Sequence, residues 1–210
     1  MQKSNRLDFM CDEVVARMGR SSMSPRALLS RMSIVDDPTR MVTAYQDPNY
    51  LPFYFHLGRV LNPRRVFCIG AELGLQVACL LAGCSSPESV SCLQFPSERF
   101  YSPRMALSNI KSATNRHFPV SVVIAPLDGE PVSGLIGGGF DLSMVVVSMS
   151  VDALMDSMDI CWSSVGDEGV MVVDMLVDQN SSAVFDDFCK SRNLSSRVLK
   201  TRYGTGIVAR

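Results

Sequence analysis

Two glycines four residues apart, Gly70 and Gly74, follow the short apolar run Val66-Phe67-Cys68-Ile69 and precede Val77, Leu80 and Leu81 at helical spacing. An apolar run rich in β-formers reads as a buried strand, and the stripe after it as a helix. A strand, a tight glycine turn and a helix make the first half of a βαβ unit. The helix then presents unpaired N–H groups above the strand's C-terminal end, where glycine lets the backbone turn sharply and approach a ligand. The chemistry this permits is cradling a nucleotide or cofactor. Metal chemistry has less to stand on. The seven cysteines contain no Cys-x-x-Cys pair, and the only histidines, His56 and His117, are far apart, so a zinc site is not expected.

The elements that must position the turn follow from the changing period. Residues 1–60 read as helical, with Leu7, Met10, Cys11, Val14, Val15 and Met18 forming one stripe. Ser24-Pro25 reads as the start of a second helix, and Asp47-Pro48 as the start of a third that Asn62-Pro63 stops. After the central unit, strands are expected at 89–95, 120–125, 141–148 and 170–176, and helices at 103–115, 152–164 and 182–192. Gly166-Asp167-Glu168-Gly169 reads as a turn. Runs 197–202 and 207–209 flank Tyr203-Gly204-Thr205-Gly206 and read as a hairpin. Alternating strands and helices imply an α/β fold, a doubly wound, mostly parallel Rossmann-like sheet of about seven strands with a C-terminal antiparallel hairpin. The division expected is an N-terminal helical segment, 1–60, packed on a core domain, 61–210.

Composition bounds the function. A chain of 210 residues with 47% hydrophobic residues and a mean hydropathy of +0.15 can bury a core of its own. A net charge of -1 gives no general affinity for nucleic acid. The charge is uneven: ten Lys/Arg face six Asp/Glu between Met1 and Arg65, but one faces twelve between Pro126 and Lys190. No apolar run has the length to cross a membrane, and the odd set of cysteines suits a reducing, cytoplasmic setting.

A dinucleotide domain wants Gly-x-Gly-x-x-Gly and an acidic residue closing the second strand. Here the turn is Gly70-Ala71-Glu72-Leu73-Gly74, the second strand closes at Gln94, and no Walker A loop occurs. Over residues 50–210 the chain instead resembles the class I S-adenosylmethionine-dependent methyltransferases, particularly the small O-methyltransferase-like members. Arg65 to Gly70 is similar to their first strand, and Gly70 and Gly74 to the outer glycines of their cofactor loop. Leu127-Asp128 falls where an Asp near the adenine is common. Phe140-Asp141-Leu142 looks like the start of their fourth strand, Gly166 to Asp174 like their fifth, and Gly204-Thr205-Gly206-Ile207-Val208 like their antiparallel last strand.

The resemblance implies S-adenosylmethionine as cofactor, S-adenosylhomocysteine as product, and cofactor contacts at Gly70, Ala71, Glu72, Gly74, Gln94, Phe95, Leu127, Asp128 and Ser148. It implies Asp174 and His56 as candidate general bases, with His117 better suited to a loop or cap. The chain departs from the family at Cys68, Glu72, Gln94 and Ser148, where an acid, a glycine and two further acids are usual. Gln94 keeps an amide oxygen for a ribose hydroxyl. The metal-dependent branch needs a second carboxylate and an Asn, where this chain has Ser148 and Met175, so no metal is expected. Three functions follow. The first is methyl transfer to an unidentified acceptor, with a small-molecule hydroxyl favoured. The second is an inactive methyltransferase-like binding or assembly module. The third is an RNA-directed methyltransferase resting on the Arg-rich N-terminal region. Expected partners are a small-molecule substrate, no membrane, and a homo-oligomer contact through the N-terminal helices.

Overall fold

The computed structural model describes residues 3–20, 49–71, 73–94, 103–112, 118–124, 137–146, 151–174, 176, 178–201 and 203–210. In chain order they form α1 (Lys3–Arg20), α2 (Tyr50–Leu61), β1 (Arg65–Ile69), α3 (Leu75–Gly83), β2 (Ser89–Gln94), α4 (Pro103–Ser112) and β3 (Val120–Ile124). There follow β4 (Phe140–Val145), α5 (Val151–Ser164), β5 (Val165–Val173), α6 (Gln179–Ser191), β6 (Ser196–Leu199) and β7 (Thr205–Ala209). The helix expected from Ser24-Pro25 lies outside the described residues.

The strands make one sheet in the order β3-β2-β1-β4-β5-β7-β6. The first five are parallel, while β7 runs antiparallel to both β5 and β6. This is the doubly wound, mostly parallel sheet that the alternation implied. Along β1 the side chains alternate between two cores. Val66 and Cys68 join α1, α2 and α3 on one face. Phe67 and Ile69 join residues of α5 and α6 on the other. Helices on both faces explain why β1 and the inner part of β5 are buried almost throughout.

α1 and α2 share the core of the first face. Leu7, Met10, Cys11 and Val14 are buried, but Val15 is half exposed, so the buried stripe is narrower than the sequence suggested. Asn62, in the left-handed conformation, ends α2, and its N–H donates to the Gly58 carbonyl. α2 and α3 touch backbone to backbone. A Cβ on Gly58 would overlap the Leu80 carbonyl, and one on Gly83 would overlap the Phe55 carbonyl. Gly166 to Gly169 is not the free turn expected. It belongs to the nine-residue β5, where the register shifts between the pairs Phe140–Val165 and Leu142–Val170, a bulge that absorbs the extra residues.

Candidate functional site

The strand order brings the C-terminal ends of β2, β1, β4 and β5 side by side. The chain reverses its winding between β1 and β4, which puts a crevice at that edge. Gly70 and Gly74 lie there with φ of 80° and 74°, left-handed values that glycine tolerates best. The Gly70 N–H donates to the Leu93 carbonyl at 2.9 Å, tying the turn to the end of β2, and Gly74 caps α3. A Cβ on Gly74 would come within 2.8 Å of the Ala106 carbonyl of α4. Asn109 of α4, 1% exposed, donates from Nδ2 to the Leu73 carbonyl at 2.8 Å. The loop is therefore fixed from below by α4, a support that the sequence pattern did not disclose. Ala71 is buried beside it.

Gln94 closes β2 next to this turn. It is 4% exposed, yet its Oε1 has no hydrogen-bond partner among the described residues. A buried acceptor left without a donor costs free energy unless something else supplies one. The orphaned oxygen stands at the position for which the sequence resemblance implies a ribose contact. Together with the glycine turn, it fits a molecule bearing hydroxyl donors. Glu72, Phe95, Leu127, Asp128 and Ser148, and also His117, lie outside the described residues.

Asp174, directly after β5, is 2% exposed. Its carboxylate accepts from Tyr50 Oη at 2.5 Å, from Tyr54 Oη, and from Thr205 Oγ1 at 3.0 Å. Gln76 of α3 donates to Tyr50 Oη at 3.3 Å, and the hydroxyls of Thr201 and Thr205 are 2.9 Å apart. One carboxylate thus joins α2, α3, β5 and β7 through hydroxyl donors, which fill acceptor positions that a metal ion would need. Burial, and then the Asp174 charge, raises the Tyr54 hydroxyl well above its usual range, so it stays a donor. Asp174 is neither a surface group nor an open base; its contacts make it an anchor. Nothing in the composition around Tyr50 and Tyr54 marks them as more than aromatic residues of a buried helix. Their spacing of four, which puts both on one helix face, was the available signal.

His56 is not brought to Asp174. On α2 it is about 200° around the helix from Tyr54. Its ring packs on Phe55, with centroids 5.3 Å apart. Both ring nitrogens are buried without a partner among the described residues. Burial, with Arg59 and Arg17 adding to it, lowers its pKa from 6.5. The folded chain therefore binds this proton less readily than the unfolded one. Stability is kept above pH 6.5 and lost as pH falls below it. The expected result is a melting temperature that drops as pH falls below 6.5, and a His56→Phe variant in which that acid limb is shallower. Equal slopes in both proteins would remove His56 as the cause.

Of the basic side chains described between residues 3 and 65, Arg6, Arg64 and Arg65 serve the opposite edge of the sheet, while Arg17 pairs with Glu13 and Arg20 donates to the Ala16 carbonyl. Arg6 donates to the Glu168 carbonyl at 2.8 Å, Arg64 pairs with Glu88, and Arg65 reaches the Gly138 and Gly139 carbonyls. Asp141 accepts the backbone N–H groups of Arg64 and Arg65 at 2.7 and 2.9 Å. A cleft of about 430 Å³ there is lined by both signs of charge, far from Gly70. All seven cysteines are free thiols. Burial pushes Cys79 and Cys84 up to about 12 and Cys11 to about 11, which makes them poor nucleophiles. No group of three His, Cys, Asp or Glu side chains suited to a metal ion occurs among the described residues. Nor is any described helix long and apolar enough to cross a membrane.

No protein-family model matches the chain, and no curated protein matches its sequence. Solved structures do match. The O-methyltransferase TomG from Streptomyces achromogenes, involved in tomaymycin synthesis and solved with SAM, has a TM-score of 0.63 at 16% identity, over 100% of this chain and 99% of its own. Cofactor-bound Rv0187 from MTB has a TM-score of 0.62 at 21% identity, over 93% of this chain and 94% of its own. The SAH-bound methyltransferase PaMTH1 from Podospora anserina has a TM-score of 0.60 at 15% identity, over 94% of each chain. The architecture is that of the class I S-adenosylmethionine-dependent methyltransferases. Within it, the chain is similar throughout its length to O-methyltransferases.

Proposed function

We propose that this protein is an S-adenosylmethionine-dependent methyltransferase acting on the hydroxyl group of a small molecule. The observation that carries the reading is the unpartnered, buried Oε1 of Gln94 beside the left-handed turn Gly70–Gly74, in a fold whose solved neighbours hold this cofactor or its product. When bound, S-adenosylmethionine supplies an electrophilic methyl group on a sulfonium. Gln94 would accept from a ribose hydroxyl. The backbone of Gly70, Ala71 and Gly74 would hold the amino-acid end, with Glu72 beside it. Phe95, Leu127, Asp128 and Ser148 are the further cofactor contacts that the resemblance implies. The protein's contribution is proximity and alignment. Asp174, buried under three hydroxyls, acts by fixing α2 and α3 around the site.

Calorimetric titration with S-adenosylmethionine and S-adenosylhomocysteine tests this. The parent protein is expected to bind both at micromolar concentration. Gln94→Leu removes the acceptor and leaves the ligand hydroxyl unmatched, a loss of ~1–3 kcal/mol, or about 5- to 150-fold in affinity. Gln94→Glu makes the bond charge-assisted and is expected to tighten binding about fivefold. Gly74→Arg is a poor probe, because a side chain there collides with α4 and disturbs folding as well as binding. No heat at millimolar ligand would overturn the enzyme reading and leave the inactive binding module.

A further inference from the structure

α1 carries two stripes. Leu7, Met10, Cys11 and Val14 are buried against the core, while Asn5, Phe9, Asp12, Ala16 and Gly19 are exposed on the other side. The exposed set recurs at alternating spacings of four and three residues, the pattern of a seam along which two helices pack. Phe9 stands on that seam at 67% exposure, the most exposed large hydrophobic side chain among the described residues. Val15, 52% exposed, flanks it. Further along the same helix the shape is reversed. A Cβ on Gly19 would meet nothing within 4 Å, and Gly19 lines a cleft of about 550 Å³ together with Val15 and Met18. Charge divides along the helix as well. Asp8, Asp12 and Glu13 precede Arg17 and Arg20, and Lys200 lines the cleft beside Gly19. Glu13 is matched by Arg17, but Asp8 and Asp12 share the single guanidinium of Arg197. No carboxylate pairs with Arg20 or Lys200 among the described residues. One end of this surface keeps an excess of negative charge, the other an excess of positive charge.

We infer that the exposed seam of α1 is the contact surface for a second copy of this chain, the two α1 helices packing antiparallel about a two-fold axis. A projection and its complementary hollow on one element suit an isologous contact, in which each copy supplies both. Placing Phe9 of each copy against Gly19 of the other also places Asp12 against Ala16. Large then meets small in every layer, and the two Asp12 side chains do not face each other. The acidic end of each helix comes beside Arg20 and Lys200 of the other copy, and the antiparallel helix dipoles add to the match. A parallel pair would instead set Asp12 against Asp12 and each acidic end against its like. The exposed charge pairs contribute little affinity and fix the direction of the helices, while burial of Phe9 drives the association. The 18-residue α1 is about 27 Å long. A single helix pair of that length is at the small end of specific interfaces, so the dimer dissociates on dilution.

Sedimentation equilibrium of the full chain, from low to high micromolar concentration, tests this. The average mass is expected to rise toward twice that of the chain, and the melting temperature to rise with concentration. Phe9→Asp should weaken association about tenfold or more, since a central aromatic side chain carries most of a small interface. The variant should still melt as the dissociated parent does, because the side chain it replaces is exposed. Arg20→Glu should weaken association about twofold to fivefold, the effect of an exposed pair. The register is read separately. Phe9→Cys combined with Gly19→Cys, oxidised with diamide, should give a covalent dimer, and Phe9→Cys alone should not. A parent that stays monomeric throughout, a dimer indifferent to Phe9→Asp, or a cross-link formed by Phe9→Cys alone would overturn the proposal.

Discussion

Replacing Asp174 by leucine is expected to lower the unfolding free energy by about 3–5 kcal/mol and the melting temperature by about 10–15 °C. Three buried hydroxyls converge on this carboxylate, from Tyr50, Tyr54 and Thr205. Removing the acceptor takes the shared partner from all three, although Thr205 can turn to Thr201. A buried polar group left unpaired costs ~1–3 kcal/mol, and the whole protein has only about 5–15 kcal/mol to lose. Asp174→Asn keeps one acceptor oxygen and should cost about half as much. Tyr54→Phe removes one donor and leaves the carboxylate two others, so a loss of ~1–2 kcal/mol is expected. Because the donors share one acceptor, the effects will not add. A double-mutant cycle between Tyr54 and Asp174 should return a coupling of about 1 kcal/mol or more. Thermal and urea unfolding followed by circular dichroism checks each value. The variants also separate anchor from catalyst. An anchor predicts that Asp174→Asn lowers methyl transfer in proportion to the weakened affinity for both ligands. A general base predicts a collapse of kcat with affinities intact.

The glycine turn and the alternation of strand and helix were legible because both are local. Gly70 and Gly74 announce a backbone that other residues avoid, and the apolar periods of two and 3.6 repeat within single elements. The parallel order of the sheet followed from those elements by general rules of connection. What could not be read were partnerships between distant segments. Tyr50 and Asp174 are separated by 124 positions, and nothing near either one announces the other. His56, a candidate base by resemblance, sits on the helix that leads into β1. Only the rotation of α2 about its axis, set by Tyr50 and Tyr54 docking on Asp174, turns His56 away. The Gly-Asp-Glu-Gly sequence from Gly166 has the composition of a turn. It is pulled into β5 by its neighbour β4, whose pairing with Val165 extends the strand past the glycines. Gln94 shows the opposite case. Its departure from the family's acid was visible in the sequence, but only its burial without a donor gives that departure a chemical meaning.

The second large effect is expected at Gly58, where Ala should destabilise the protein by about 3 kcal/mol even though it is the better helix former. In an exposed helix the exchange gains ~1 kcal/mol. Here a methyl group would enter the space of the Leu80 carbonyl, which belongs to a helix buried along most of its length and cannot give way freely. Gly83 makes the reciprocal contact with the Phe55 carbonyl. The two glycines therefore let α2 and α3 approach closely, and that approach sets Tyr50 within reach of Gln76. A drop in melting temperature of about 6–12 °C follows from the size of the chain. Gly19→Ala serves as the control, since a Cβ there meets nothing within 4 Å, and it should leave the melting temperature unchanged or raise it slightly. The same clash reaches the site. α3 begins at Gly74, so a helix pushed outward at Leu80 carries the cofactor turn with it. Gly58→Ala should then weaken S-adenosylmethionine binding although the residue faces no ligand. If Gly58→Ala melts with the parent and binds as the parent does, the two helices are not in backbone contact. The support that this contact gives to the turn would then have to come from α4 alone, through Asn109 and Ala106.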